Sequence, residues 1–127
     1  MLFRSRRVAQ GRHDEAAGLL DKAAELYAGL PWWKSNRARV LAARGALDEA
    51  VALAGEAAAQ EAGSDDITAV AQTLVDVSEV LRAAADRPGA EAALTEAIAL
   101  NEEKGNLVAA ERCRERLARL RPDGPGE

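Results

Sequence analysis

Few side chains in this 127-residue chain have the makings of a reactive site. Its one histidine, His13, is flanked by Asp14 and Glu15. Neighbours in sequence face different ways, and a metal ion needs three or four converging ligands. His13 is therefore read as a solvated turn residue. The one cysteine, Cys113, falls on an apolar stripe and reads as a small core hydrophobe rather than a nucleophile. Arg112, Arg114 and Arg116 would lower its pKa were it exposed. No Ser/His/Asp set or Cys/His cluster can be assembled, and there is no Gly-x-x-x-x-Gly-Lys-Ser/Thr phosphate loop. No catalytic residue, metal or cofactor is expected, and the chain is not read as an enzyme.

Residues suited to binding are easier to find. Trp32 and Trp33 follow Pro31 directly. Adjacent helical residues point about 100° apart, so the two rings face different ways and one is expected in the core. Arg4, Arg6, Arg7 and Arg12 form a basic cluster near the start. Without interleaved aromatics in a basic domain, that cluster reads as a solvated helix face. The formal net charge is −4, from 17 basic and 21 acidic residues, which argues against general nucleic-acid affinity. No run approaches the roughly 18 apolar residues of a membrane span, so no membrane partner is expected. Met1–Gln10 is too short and arginine-rich for a signal peptide. A lone cysteine excludes an internal disulfide and fits a cytoplasmic location.

These residues must be positioned by helices. Thirty alanines and fifteen leucines dominate the chain, and both types lose little side-chain entropy in a helix. Turn signals at Gly11, Gly29–Pro31, Gly45, Gly63–Asp65, Asp86–Gly89 and Gly105–Asn106 divide it. The division predicts about seven antiparallel helices, near 2–10, 13–28, 31–44, 47–62, 65–85, 88–103 and 106–120. Residues 121–127 are expected to be a disordered tail. In helix 65–85, Ile67, Val70, Leu74, Val77 and Leu81 form one stripe, and Val75 and Val80 widen it, as suits a central helix packed on two sides. Ser64 or Asp65 is expected to cap its start. In the last helix Ala110, Cys113, Leu117 and Leu120 form the apolar stripe.

The chain repeats itself. Gly11-Arg-His-Asp-Glu-Ala16 matches Gly45-Ala-Leu-Asp-Glu-Ala50 at Gly, Asp, Glu and Ala, 34 residues apart. Each final alanine has another seven residues on, Ala23 and Ala57. A third copy starts 40 residues after Gly45, at Ala85, and carries Ala90 and Ala97. Twelve residues before Ala50 and Ala90 stand Ala38 and Ser78, both small.

A 34-residue period of paired helices with small residues at these places resembles the tetratricopeptide repeat (TPR) family. The likeness implies an all-α, TPR-like solenoid of helical hairpins, with repeats at about 1–29, 30–63 and 64–103 and a cap at 105–120. Arg4 at the first small position, the missing helix-ending prolines and the longer third repeat depart from the pattern. The segments from Trp33 to Gly45, Leu74 to Arg82 and Ala93 to Asn106 are similar to the C-terminal repeats of large bacterial regulators. Those proteins join a class III cyclase or DNA-binding activator domain to an AAA-type ATPase. On that likeness the chain is a piece of a longer protein, consistent with its degenerate first repeat, and acts as a protein–protein interaction scaffold. The family pattern turns Trp32, Ser35, Arg39, Gln72, Val75, Glu79 and Arg82 toward a groove for a protein or peptide partner. The alternative is a structural oligomerisation arm, pairing with its own copy and having no separate ligand.

Overall fold

A computed structural model describes residues 14–16, 18, 19, 21, 22, 25–27 and 29–121, and every regular element among them is helical. After helical turns within residues 14–27, five helices follow: α1 (Pro31–Ala43), α2 (Leu47–Glu61), α3 (Ile67–Ala83), α4 (Arg87–Lys104) and α5 (Leu107–Leu120). The expected helix 2–10, the start of the first repeat, Arg4, Arg6, Arg7, Arg12, His13 and the tail beyond Arg121 lie outside the described residues.

Local chemistry sets the boundaries. Pro31 opens α1 where its missing N–H costs nothing, and it holds Leu30 extended. The cap of α3 is Asp66, not Ser64 or Asp65: its Oδ1 accepts the Ala69 N–H at 3.1 Å. Ser64 instead accepts the Asp66 N–H, which turns the chain into the capping geometry. That double use delays the helix to Ile67, two residues later than expected. Asp86 caps α4 through Gly89 N–H in the same way.

Three helix ends share one solution. After α1, Gly45 N–H donates to Ala42 O and Ala46 N–H to Leu41 O. After α3, Ala85 donates to Arg82 O and Asp86 to Leu81 O. After α4, Gly105 donates to Glu102 O and Asn106 to Asn101 O. This paired 5→2 and 6→1 pattern needs a left-handed residue at its centre. Gly45 and Gly105 supply it at φ 85°, and Ala85 does so at φ 63° despite its Cβ.

The turns fold α1 onto α2, α3 onto α4, and α4 onto α5; α3 also packs against α1 and α2. It is therefore the central helix, as its wide apolar surface requires. The repeat-position residues Ala38, Ala50, Ala57, Ala90 and Ala97 are sealed from solvent, and Ser78 is buried. Small side chains at these contacts let helix backbones approach closely. Ala38, Ala50 and Ala54 form one core with Val77 and Val80 of α3 and Ala93 of α4. A second core joins Leu94 and Ala97 of α4 to Cys113 of α5. Ala16, at the matching place in the first copy, is exposed, and Ala23 lies outside the described residues.

Candidate functional site

Asp76 is the polar centre of the α1–α3 contact. It is 3 % exposed and the one charged residue among the buried residues of α3. A buried carboxylate requires donors, and α1 supplies two of the three seen here. Ser35 Oγ donates to Oδ2 at 2.9 Å. Arg39 and Gln72 donate to Oδ1 at 3.3 Å and 3.2 Å. Ser35 and Arg39 lie four residues apart, on one face of α1, and Gln72 sits one turn before Asp76 on α3. The cluster fixes how the two helices sit against each other.

An open groove of about 630 Å³ runs between α1 and α3, with Trp32, Asn36, Arg39 and Ala43 along one wall and Glu79, Arg82 and Ala83 along the other. A second recess of about 300 Å³ lies between α3 and α5, lined by Glu79, Arg82, Arg116 and Arg119 with Leu94 and Leu120. Glu79 and Arg82 line both. The two therefore adjoin at these side chains, and together they form the channel face bordered by α1, α3 and α5. Glu79 is held by Arg82 at 3.4 Å and by a close contact from Arg116.

The two tryptophans divide as their angular spacing requires. Trp33 is buried, whereas Trp32 is half-exposed at the channel mouth. Trp32 is fixed by an edge-on contact with Trp33 at 6.2 Å and a tilted one with Tyr27 at 5.4 Å. Of the other sequence-derived groove residues, Arg39, Glu79 and Arg82 line the same channel. Ser35 is sealed beneath it and serves Asp76. Gln72 and Val75 instead line a third recess with Asn101 and Cys113, which shares Arg116 with the α3–α5 recess.

Asp76, Arg116 and Arg119 were not among the expected residues. A lone Asp between Val75 and Val77, on a helix that must bury most of its surface, was the available signal for the first. For the arginines there was none. Arg119 reads as part of the polar face of the last helix, and only the placement of α5 beside α3 brings it to Glu79 and Arg82.

Cys113 is buried, with Asn101 Nδ2 at 4.0 Å from its Sγ. Burial pushes the thiol pKa up, against weaker opposing effects of Asn101 and Arg114. It is thus poorly suited to act as a nucleophile. Among the described residues no group of three or more His, Cys, Asp or Glu could hold a metal ion, and no helix is long and apolar enough to cross a membrane. Comparison with protein-family models, with curated proteins and with solved structures gives no significant match to this chain.

Proposed function

We propose that this chain is a TPR-like helical-hairpin scaffold that binds an extended segment of a protein partner in the α1–α3–α5 channel. The observation that carries the reading is that two recesses adjoin along one face of the helices. The channel's walls come mainly from the first helix of each hairpin and from α5, with Leu94 of α4, and its two stretches share Glu79 and Arg82. The burial of Ala38, Ala50 and Ala57, and of Ser78, Ala90 and Ala97, supports the repeat reading, because the same small positions make the helix contacts in both hairpins. A half-exposed Trp beside arginines is the composition that dominates binding energy at protein interfaces. The sequence likeness to bacterial regulators supports a role as the C-terminal repeat module of such a protein, with catalysis or DNA binding assigned to other domains.

The test is binding of a displayed library of extended peptides to the wild-type chain and to Trp32→Ala/Arg39→Ala, with mass measured by light scattering. The expected result is selection of peptides by the wild type and loss in the double variant at unchanged mass and helicity. A wild-type chain that selects nothing, yet doubles its mass with concentration, would establish the oligomerisation arm instead.

A further inference from the structure

The channel is charged against the sign of the chain. The whole protein carries a formal charge of −4, yet the channel presents Arg39, Arg82, Arg116 and Arg119 against only Asp76 and Glu79. Asp76 is buried, and its oxygens already accept from Ser35, Gln72 and Arg39. Glu79 is divided between Arg82 and Arg116. Each guanidinium carries five N–H donors in a planar fork suited to a carboxylate, so two carboxylates leave most of these donors facing water. The Arg82 side chain remains 59 % exposed. Among the described residues, no carboxylate lies within ion-pairing range of Arg119. The α1 half of the channel differs: Trp32, Val40, Ala42, Ala43 and Ala83 make it mainly apolar.

We propose that the channel takes an acidic peptide segment, with carboxylates on Arg82 and Arg119 and a neighbouring apolar or aromatic side chain on Trp32. Glu79 then acts as an internal competitor, holding Arg82 and Arg116 in place while the channel is empty and opposing any incoming acid. This rests on the peptide-binding reading and adds the chemistry of the ligand. A nucleic-acid backbone fits less well. It needs an unbroken line of cations on a basic protein, whereas here Glu79 lines both recesses and the chain as a whole is acidic.

The experiment uses the full chain and two fluorescein-labelled peptides of equal length, one with glutamates flanking a single phenylalanine, the other with every glutamate replaced by glutamine. Fluorescence anisotropy should show the acidic peptide binding about tenfold tighter in low salt, an advantage that shrinks as screening shortens at high salt. Arg82→Gln/Arg119→Gln should remove most of that advantage. Arg119→Gln alone should remove part of it without touching any contact that holds the fold. Glu79→Gln should raise acidic-peptide affinity severalfold, a gain that loss of a merely structural ion pair does not give. Equal binding of both peptides, abolished by Trp32→Ala, would overturn the acidic preference while leaving the peptide site standing. Binding of neither would overturn both. An oligonucleotide of the same charge that competes at equal concentration would overturn the choice of a peptide.

Discussion

Ser35 and Asp76 stand 41 positions apart in the chain, and Ser35 Oγ donates to Asp76 Oδ2 at 2.9 Å, both side chains being buried. Ser35 Oγ also lies 3.1 Å from Trp32 O, but it has one proton to give, and the carboxylate is the stronger acceptor. Arg39 serves the same carboxylate from a side chain 49 % exposed, so water substitutes for much of what it offers. The two contributions should rank against the intuition that an ion pair outweighs a hydroxyl. Ser35→Ala is expected to cost about 1.5–3 kcal/mol, the value of a hydrogen bond to a buried charge. Arg39→Ala is expected to cost about 0.2–1 kcal/mol, as for solvent-screened pairs. Urea unfolding of the two variants measures both. The reverse order would mean that Arg39, not Ser35, is the main partner of Asp76 across the α1–α3 contact.

Gly45 and Ala85 occupy equivalent turns, and only one of them is the residue such a turn favours. Both make the same pair of backbone hydrogen bonds with positive φ. A Cβ in the left-handed region costs about 1–2 kcal/mol, partly offset because glycine loses more backbone freedom on folding. Ala85→Gly should therefore stabilise the protein by about 0.5–1 kcal/mol, and Gly45→Ala should destabilise it by about the same amount. Shifts of the denaturation midpoint in opposite directions are the expected outcome. Changes of the same sign would show that the space around the two turns differs, and that their strain is not shared.

The equivalence of those turns explains how far the sequence could be read. Gly45 and Ala85 begin matching copies of the repeat, and the conformation is conserved even where glycine is not. The small residues at fixed offsets, Ala38, Ala50, Ala57, Ser78, Ala90 and Ala97, are the ones the fold buries. Such positions are legible because close helix contact admits few residue types. The channel was less legible. Trp32, Arg39, Glu79 and Arg82 share it, but Ser35, which has the spacing of a groove residue, is buried and bonded to Asp76. The stripe Ala110, Cys113, Leu117 and Leu120 sets which face of α5 meets α4, but whether Arg116 and Arg119 reach α3 depends on where α5 lies beside it, which no local pattern gives. Polar clusters and channel walls are formed by pairs distant in sequence, whereas caps are formed by near neighbours and the small seam positions recur at a fixed spacing.

Helix α5 should be required for the stability of the second hairpin. It covers Leu94 and Ala97 with Cys113, Leu117 and Leu120, and ion pairs fasten it to both neighbours. Arg116 pairs with Glu79 of α3, and Arg114 and Arg121 pair with Glu102 and Glu91 of α4. The exposed pairs add little, so the apolar seam should dominate. Removing residues 106–127 uncovers two or three apolar side chains worth about 1.5–3 kcal/mol each. The thermal midpoint is expected to fall by about 10 °C or more. A circular-dichroism melt with an unchanged midpoint would show that α1–α4 close their own core.

Within that seam, Cys113 makes stability depend on pH in a known direction. Burial raises its pKa above the ordinary value of 9.0, and the lowering effects of Asn101 and Arg114 do not cancel it. The folded state thus holds the thiol proton more tightly than the unfolded chain does. Stability from this group is fully present below the unfolded pKa and is lost as pH rises through the folded one. Cys113→Ala lacks the titration and leaves a slightly smaller side chain in the core. The wild-type protein should therefore be the more stable of the two at neutral pH, and its margin should narrow as pH rises above 9.0. Denaturation of both proteins across that range provides the check. A margin independent of pH would mean that α5 opens readily enough for Cys113 to titrate as though exposed. Rapid alkylation of the thiol in the folded protein would then report the same opening.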